Sequence, residues 1–386
     1  MRHRRIVFIL GSLSLGGAER QLAAMLEHRS ARARDLDIQL VTLLPPRSEA
    51  LVTRFEELGL PITLVDRSTR SFPRFLFELV RTVRRLGPAI VHTRLDSTAG
   101  IWGRVAAWLA RTPVIVQSDR NEAVYGTRVQ KALRPFIDRF TTRFFPNASV
   151  IADRLVRSGV PQHKIRVIPN GVDLREFDPE RAADLRGAWG VPEGAVVAGF
   201  LGRFAQQKRL DLLFDALVSL PPEERPDRVA LAGDGEKMAM VRERIAGDAW
   251  LREHCLVLGV ANDIPAFMKS IDYLVLPSDF EGLPNVVLEA LAMARPVVST
   301  RISDVPALIE GAGFLADRGE SASVADALRS MQALAPDERR ALGARGRARI
   351  EREYDLDVVA EGFWNAHLDL LPQASLRASG ATPTHA

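Results

Sequence analysis

Three observations predict an α/β fold made of two doubly wound parallel-sheet domains. At 386 residues the chain exceeds one ordinary domain of about 150 residues. Short apolar runs alternate with helix-period segments, the βαβα order that builds parallel sheets. The alternation breaks at Asn170-Gly171-Val172-Asp173, where Asn-Gly is a turn former, and a polar connection runs from Leu174 to Arg186. It resumes with an apolar run at Ala195. The expected domains are therefore 1–173 and 174–356, with a terminal helix over 357–371 and a Ser/Ala/Gly/Thr/Pro-rich tail, 373–386, predicted to be disordered.

In the first half, Arg5 to Leu10 reads as a strand, then a loop through Gly16 and Gly17, then a helix from Ala18 to His28. The spacing Gly11-x4-Gly16 matches part of a phosphate-binding loop, but Gly17-Ala18 stand where that motif needs Lys and Ser/Thr. Gly16 and Gly17 still lack the Cβ atoms that would hold a ligand away from the backbone. Further strands are expected at 38–43, 62–65, 89–92 and 114–117. His92 and the segment Gln117-Ser118-Asp119-Arg120-Asn121 fall at strand ends, where open α/β sheets bind ligands. Phe75, Leu76, Leu79, Val83 and Leu86 share one side of a helix over 72–86, with Arg74, Arg81, Arg84 and Arg85 elsewhere. A second basic stretch interleaves Arg128, Lys131, Arg134, Arg139 and Arg143 with Phe136, Phe140, Phe144 and Phe145. Both stretches fit packed surface helices, and together they also fit contact with anionic lipid.

In the second half a strand over 195–201 leads into Gly202-Arg203-Phe204-Ala205-Gln206-Gln207-Lys208, and one over 229–232 into the turn Gly233-Asp234-Gly235-Glu236, read as structural. Strands follow at 256–258, before Gly259-Val260, and at 273–276. The loop Pro277 to Gly282 then meets a helix whose first residue is expected to be Pro284, where a missing N–H costs nothing. Arg295-Pro296 stops that helix, and Val297-Val298 begins the next strand. A last strand, 313–317, and helices over 322–334 and 336–353 complete the order.

The chemistry concentrates around the 284 helix. Glu281 precedes its first turn and Glu289 lies inside it, about 7 Å along the axis from Pro284 at about 1.5 Å per residue. Two carboxylates so placed reach separate hydroxyls of one elongated ligand. The backbone N–H groups of Leu283, Asn285 and Val286, at a helix start, favour an anionic oxygen. Carboxylates for hydroxyls and helix-end amides for phosphate together describe a nucleotide sugar.

The block Glu281-Gly282-Leu283-Pro284-Asn285-Val286-Val287-Leu288-Glu289 resembles the E-x7-E element of retaining glycosyltransferase family 4, the two-Rossmann-domain, GT-B type. Gly16-Gly17-Ala18-Glu19-Arg20, Ile168-Pro169-Asn170-Gly171-Val172-Asp173 and the Gly202-Arg203 to Lys208 segment are similar to other elements of that family. The resemblance implies two Rossmann-like domains facing across a cleft and transfer of a sugar from a nucleoside diphosphate sugar to an acceptor hydroxyl, with retention. It implies donor contacts by Gly16, Gly17, Gly202, Val260, Gly282, Leu283, Pro284, Asn285 and Glu289, and catalytic roles for Arg203, Lys208 and Glu281. Family members often carry a functional histidine in the loop after the strand matching 114–116, and here Asp119 and Arg120 stand instead. His92, Asp119 and Arg120 are the candidates for an acceptor or phosphate contact on that side.

Composition sets the partners. Residues 1–170 hold 28 Lys/Arg against 14 Asp/Glu, a net +14, and the remainder 24 against 34, a net −10. A basic half fits an anionic membrane surface or a lipid-linked or saccharide acceptor bearing phosphate. No nucleic-acid motif accompanies it. One cysteine, Cys255, excludes a disulfide framework, and the seven histidines show no ligand spacing, so neither metal nor other cofactor is expected. No apolar run reaches the length of a membrane span and the start lacks a signal-peptide core, which predicts a cytoplasmic protein, peripheral on the inner face of the membrane. A nucleotide-sugar epimerase, or a nucleotide-sugar-binding protein without activity, would share the architecture; the first needs an acid/base pair that does not stand out.

Overall fold

A computed structural model of the chain describes residues 4–14, 16–94, 98–120 and 127–371. Leu15, Asn121 and the 373–386 tail, each part of an expectation above, lie outside them. The described residues divide into two compact units, one within Met1–Asn170 and Leu356–Ala386, the other Gly171–Asp355.

The first unit holds a parallel sheet of β1 (Arg5–Leu10), β2 (Asp37–Thr42), β3 (Ile62–Leu64), β4 (Ile90–Arg94), β5 (Val114–Ser118) and β6 (Arg143–Phe144), in the order β3-β2-β1-β4-β5-β6. Past Arg5, β1 reads as an unbroken apolar run because both faces of the sheet are covered. Along β1, Ile6, Phe8 and Leu10 enter one core with Leu22, Met25, Phe363 and Trp364, while Val7 and Ile9 enter another with Phe75, Leu79, Val83 and Trp102. The helix Leu356–Leu368 belongs to this unit: the Trp364 indole N–H donates to the Met25 carbonyl at 2.8 Å. The two-residue edge strand β6 carried no apolar run to announce it. Its Phe144, with Phe145 beside it, is buried, so these rings are core and not part of an exposed basic-aromatic face.

The second unit repeats the plan with β7 (Val197–Leu201), β8 (Arg228–Ala232), β9 (Cys255–Gly259), β10 (Tyr273–Leu276), β11 (Val297–Thr300) and β12 (Gly313–Ala316), in the order β12-β11-β10-β7-β8-β9. In both sheets the first strand lies beside the fourth, the reversal at which doubly wound sheets open a crevice for ligands. Among the described residues no helix is long and apolar enough to cross a membrane.

Candidate functional site

In the second unit the reversal falls between β7 and β10, so the loops leaving their carboxyl ends are neighbours. After Leu201 the chain turns at Gly202, whose φ of 154° suits glycine, and makes one tight turn over Gln206–Lys208. Arg209 then adopts a left-handed conformation, φ 49°, and starts the helix Leu210–Ser219. The 277–282 loop is tied to this turn at three points. The Asp279 N–H donates to the Gln207 carbonyl at 2.8 Å. Arg209 Nη1 donates to Asp279 Oδ1 at 3.0 Å, while its Nη2 donates to Asp211 Oδ2 at 2.9 Å. Asp211 first and Asp279 second push the Arg209 pKa upward, so this strained residue is held as a cation.

The third tie joins two of the predicted catalytic groups. Lys208 Nζ lies 2.7 Å from Glu281 Oε1, and the side chains are 14% and 12% exposed. The approach is ionic: Oε1 is buried and receives no directed hydrogen bond. Lys208 also folds over Gly202, with Nζ 3.7 Å from where a Cβ at that position would stand. Arg203 is exposed, and its Cγ packs 3.0 Å from the site of a Cβ on Gly235. The turn Gly233-Asp234-Gly235 supports the loop from below. A Cβ on Gly233 would meet the Gly202 carbonyl oxygen at 1.9 Å, and the Phe204 N–H donates to the Asp234 carbonyl at 2.8 Å. Close backbone approach therefore explains this turn, as read from the sequence.

The helix Asn285–Ala292 begins one residue later than expected. Pro284 is its N-cap, with ψ 114°, and no side chain caps the end. Gly282, Leu283 and Pro284 are buried and Asn285 is half-buried. Glu289 is 8% exposed, so it is not a solvated surface acid. Val260, just beyond the end of β9, is 67% exposed and open to a ligand. Asp279, Asp211 and Arg209 were not singled out in the sequence; the only available signal was Asp279 two positions before Glu281 in a strand-end loop.

The first unit corrects two expectations. His92 is fully buried, its Nδ1 2.9 Å from His367 Nε2 and its Nε2 2.8 Å from Ser118 Oγ. Burial, with His367 nearby, pushes its pKa well below 6.5, so it is a neutral core group and not a surface contact for phosphate. Asp119 is 1% exposed and accepts from Gln117 Nε2 at 2.7 Å, Arg134 Nη2 at 2.9 Å and Arg154 Nη2 at 2.8 Å. Its valences are met inside the unit, and Arg134 is thereby turned inward from the basic face. Arg120 remains a candidate: its Nη1 donates to Asn170 Oδ1, its Nε is buried without a partner, and burial lowers its pKa to about 10.

Two neighbours of Arg120 had escaped notice. Arg94, the last residue of β4, is 1% exposed and donates from Nη2 to the Ala18 carbonyl at 3.1 Å, leaving Nε and Nη1 unbonded. Glu19 is 7% exposed, its pKa raised by burial against the opposing pull of Arg94 and Arg120. A Cβ on Gly16 would lie 2.6 Å from Glu19 Oε2, so this carboxylate would have to shift to admit one. A strand-end arginine two residues after His92 was the available signal.

Two doubly wound sheets, the second with cation and carboxylate at its switch point, fit a class of nucleotide-binding enzymes. Residues 15–176 match the model for glycosyltransferase family 4, and residues 195–333 that for glycosyl transferases group 1. The chain is 33% identical over 267 residues to the UDP-Gal:alpha-D-GlcNAc-diphosphoundecaprenol alpha-1,3-galactosyltransferase of Escherichia coli, covering 66% of this chain and 68% of that one. It is 30% identical to the 2-deoxystreptamine glucosyltransferase of Streptomyces kanamyceticus, over 65% and 71%. Anabaena HepE in complex with UDP and glucose superposes with a TM-score of 0.80 at 20% identity, over 95% of this chain and all of that one. The chain belongs to glycosyltransferase family 4 and has the GT-B type of fold. It is a nucleotide-sugar-dependent glycosyltransferase.

Proposed function

We propose that the enzyme moves a hexosyl unit from a uridine diphosphate sugar to a hydroxyl of a lipid-linked or saccharide acceptor, with retained anomeric configuration. The observation that carries the site assignment is the Lys208–Glu281 pair, 2.7 Å apart at the β7/β10 switch point. Glu289 takes ribose hydroxyls and Glu281 takes hydroxyls of the transferred sugar. Arg203, Lys208 and the 285–292 helix start meet the diphosphate. The bond from the anomeric carbon to the diphosphate oxygen breaks, that carbon bonds to the acceptor oxygen, and the acceptor proton passes to the departing diphosphate on the same face. Lys208 and Arg203 stabilise the charge that builds there. These cations do what a divalent metal does in other transferases, and no metal or other cofactor enters the proposal.

The E. coli relative's name and the HepE complex both support a uridine nucleotide, and the former supports a lipid-linked acceptor. The basic first unit, with Arg120 and Arg94 near the Gly16-Gly17 loop, supports an anionic acceptor group and work at the inner face of a membrane. Thermal-shift screening against nucleoside diphosphate sugars, then turnover with and without acceptor, tests this reading. Stabilisation by uridine diphosphate sugars with acceptor-dependent release of UDP is the expected result. Donor binding with no turnover on any lipid-linked or saccharide acceptor would leave a binding protein, and product formation without acceptor an epimerase.

A further inference from the structure

The helices Thr98–Leu109 and Arg128–Phe140 enclose a cavity of about 150 Å³, lined by Trp102, Val105, Trp108, Leu133, Phe136 and Phe140 among others. The pocket opens to solvent on one side, and its volume suits a benzene-sized stretch of hydrocarbon. Most polar groups at its edge are paired, while Arg104 Nη2 and Trp102 Nε1 are buried without a partner. Arg104, 1% exposed, pairs with Asp138 at 2.5 Å and donates to Thr141 Oγ1 at 3.1 Å, and that hydroxyl donates to the Ile137 carbonyl.

The rim is aromatic and open to solvent. Trp108, Phe136 and Phe140 are 41%, 52% and 39% exposed, with ring centroids 4.9 to 6.0 Å apart. Three large rings in mutual contact at the surface are an unusual arrangement unless something covers them. Charge says what. Arg128, Lys131 and Arg139 on the second helix and Arg111 just past the first are exposed, and the single acid of the two helices, Asp138, is buried against Arg104. Aromatic rings at an apolar mouth with cations along the same helix match the boundary between anionic headgroups and acyl chains.

We propose that this cavity is a slot for a hydrocarbon chain of an anionic membrane lipid, the rings seating at headgroup level and the cations on phosphate. The inference deepens the reading of the first unit as membrane-facing and rests on it.

The test uses the full chain and vesicles of phosphatidylcholine alone or mixed with phosphatidylglycerol, carrying brominated acyl chains that quench tryptophan on contact. Quenching is expected only with phosphatidylglycerol present; it should weaken in Trp108→Phe and be lost when Trp102→Phe is added, since both indoles line the slot. Phe136→Ser with Phe140→Ser should weaken vesicle binding about tenfold or more, as removal of two buried rings implies. Leu133→Trp, which fills the slot, should keep charge-dependent binding yet abolish the fluorescence response to monomeric decyl phosphate. Vesicle binding without bromine quenching overturns the slot and leaves the surface contact standing. Absence of vesicle binding sinks the membrane reading; the slot then stands or falls on saturable, Trp108-dependent binding of decyl phosphate. Concentration-dependent self-association abolished by Phe136→Ser would show that a second copy covers this face, and would overturn the proposal.

Discussion

The two units share one strand order and use buried charge differently. In the second, the ion pairs at the switch point lie in the loops beyond the strand ends, Lys208 with Glu281 and Arg209 with Asp279 and Asp211, while buried Glu289 and Arg339 stand on helices. In the first, most are sealed inside. Asp119 is saturated by two arginines, Arg104 is locked to Asp138, and His92 to His367. Equal topology therefore does not mean equal chemistry. A sealed pair contributes to the fold, whereas a pair at a switch-point loop can exchange its partner for a ligand.

Breaking the sealed pair should have the largest effect. Asp138→Ala leaves Arg104 buried and unpaired, for an expected loss of about 3–5 kcal/mol in unfolding free energy by urea titration. Lys208→Ala removes a loop charge instead. Its kcat should fall about 10²–10³-fold, or about 3–4 kcal/mol of transition-state stabilisation, with little change in urea midpoint. Stability losses of the same size in both variants would erase the distinction.

Acid sharpens the comparison. Burial lowers the His367 pKa to about 4, below its value of about 6.5 in the unfolded chain. The unfolded state thus binds the proton first, so stability is full above pH 6.5 and is lost as pH falls toward 4, by about 3 kcal/mol at most. Hydrogen-exchange protection in the first unit should drop over that window and His367→Gln should flatten the drop, while the second unit, with its one half-buried histidine, His254, should respond less. The smallest effect is expected at Glu289. Glu289→Ala should weaken UDP binding about tenfold, near 1.4 kcal/mol by calorimetry, whereas Glu281→Ala should spare UDP affinity and lower turnover. Unchanged UDP affinity in Glu289→Ala would contradict the ribose assignment.

Much of this was legible in the sequence because a parallel sheet leaves a strong local record. The strands Arg5–Leu10 and Tyr273–Leu276 and the helices Phe72–Leu86 and Pro336–Glu353 have the bounds their residues predict, since apolar runs and proline or glycine stops act within a few positions. Charge roles were less legible. Asp119 sits just past a strand end, as a ligand contact would, and His92 lies inside β4, but all their side-chain partners except Gln117 come from 15 to 275 positions away. Arg94 and Glu19 drew no notice because neither is unusual until burial removes its water.

The sequence by itself determined the two βα series, their separation near Asn170-Gly171, the placing of Glu281, Arg203 and Lys208 in loops beyond strand ends, and that of Glu289 inside the helix that follows, because each is set by local periodicity and turn chemistry. Only the tertiary structure decided which charges pair, which face solvent, and that Trp108, Phe136 and Phe140 gather around one cavity. Those outcomes depend on desolvation and on contacts between residues distant in the chain, and neither leaves a mark in the order of residues.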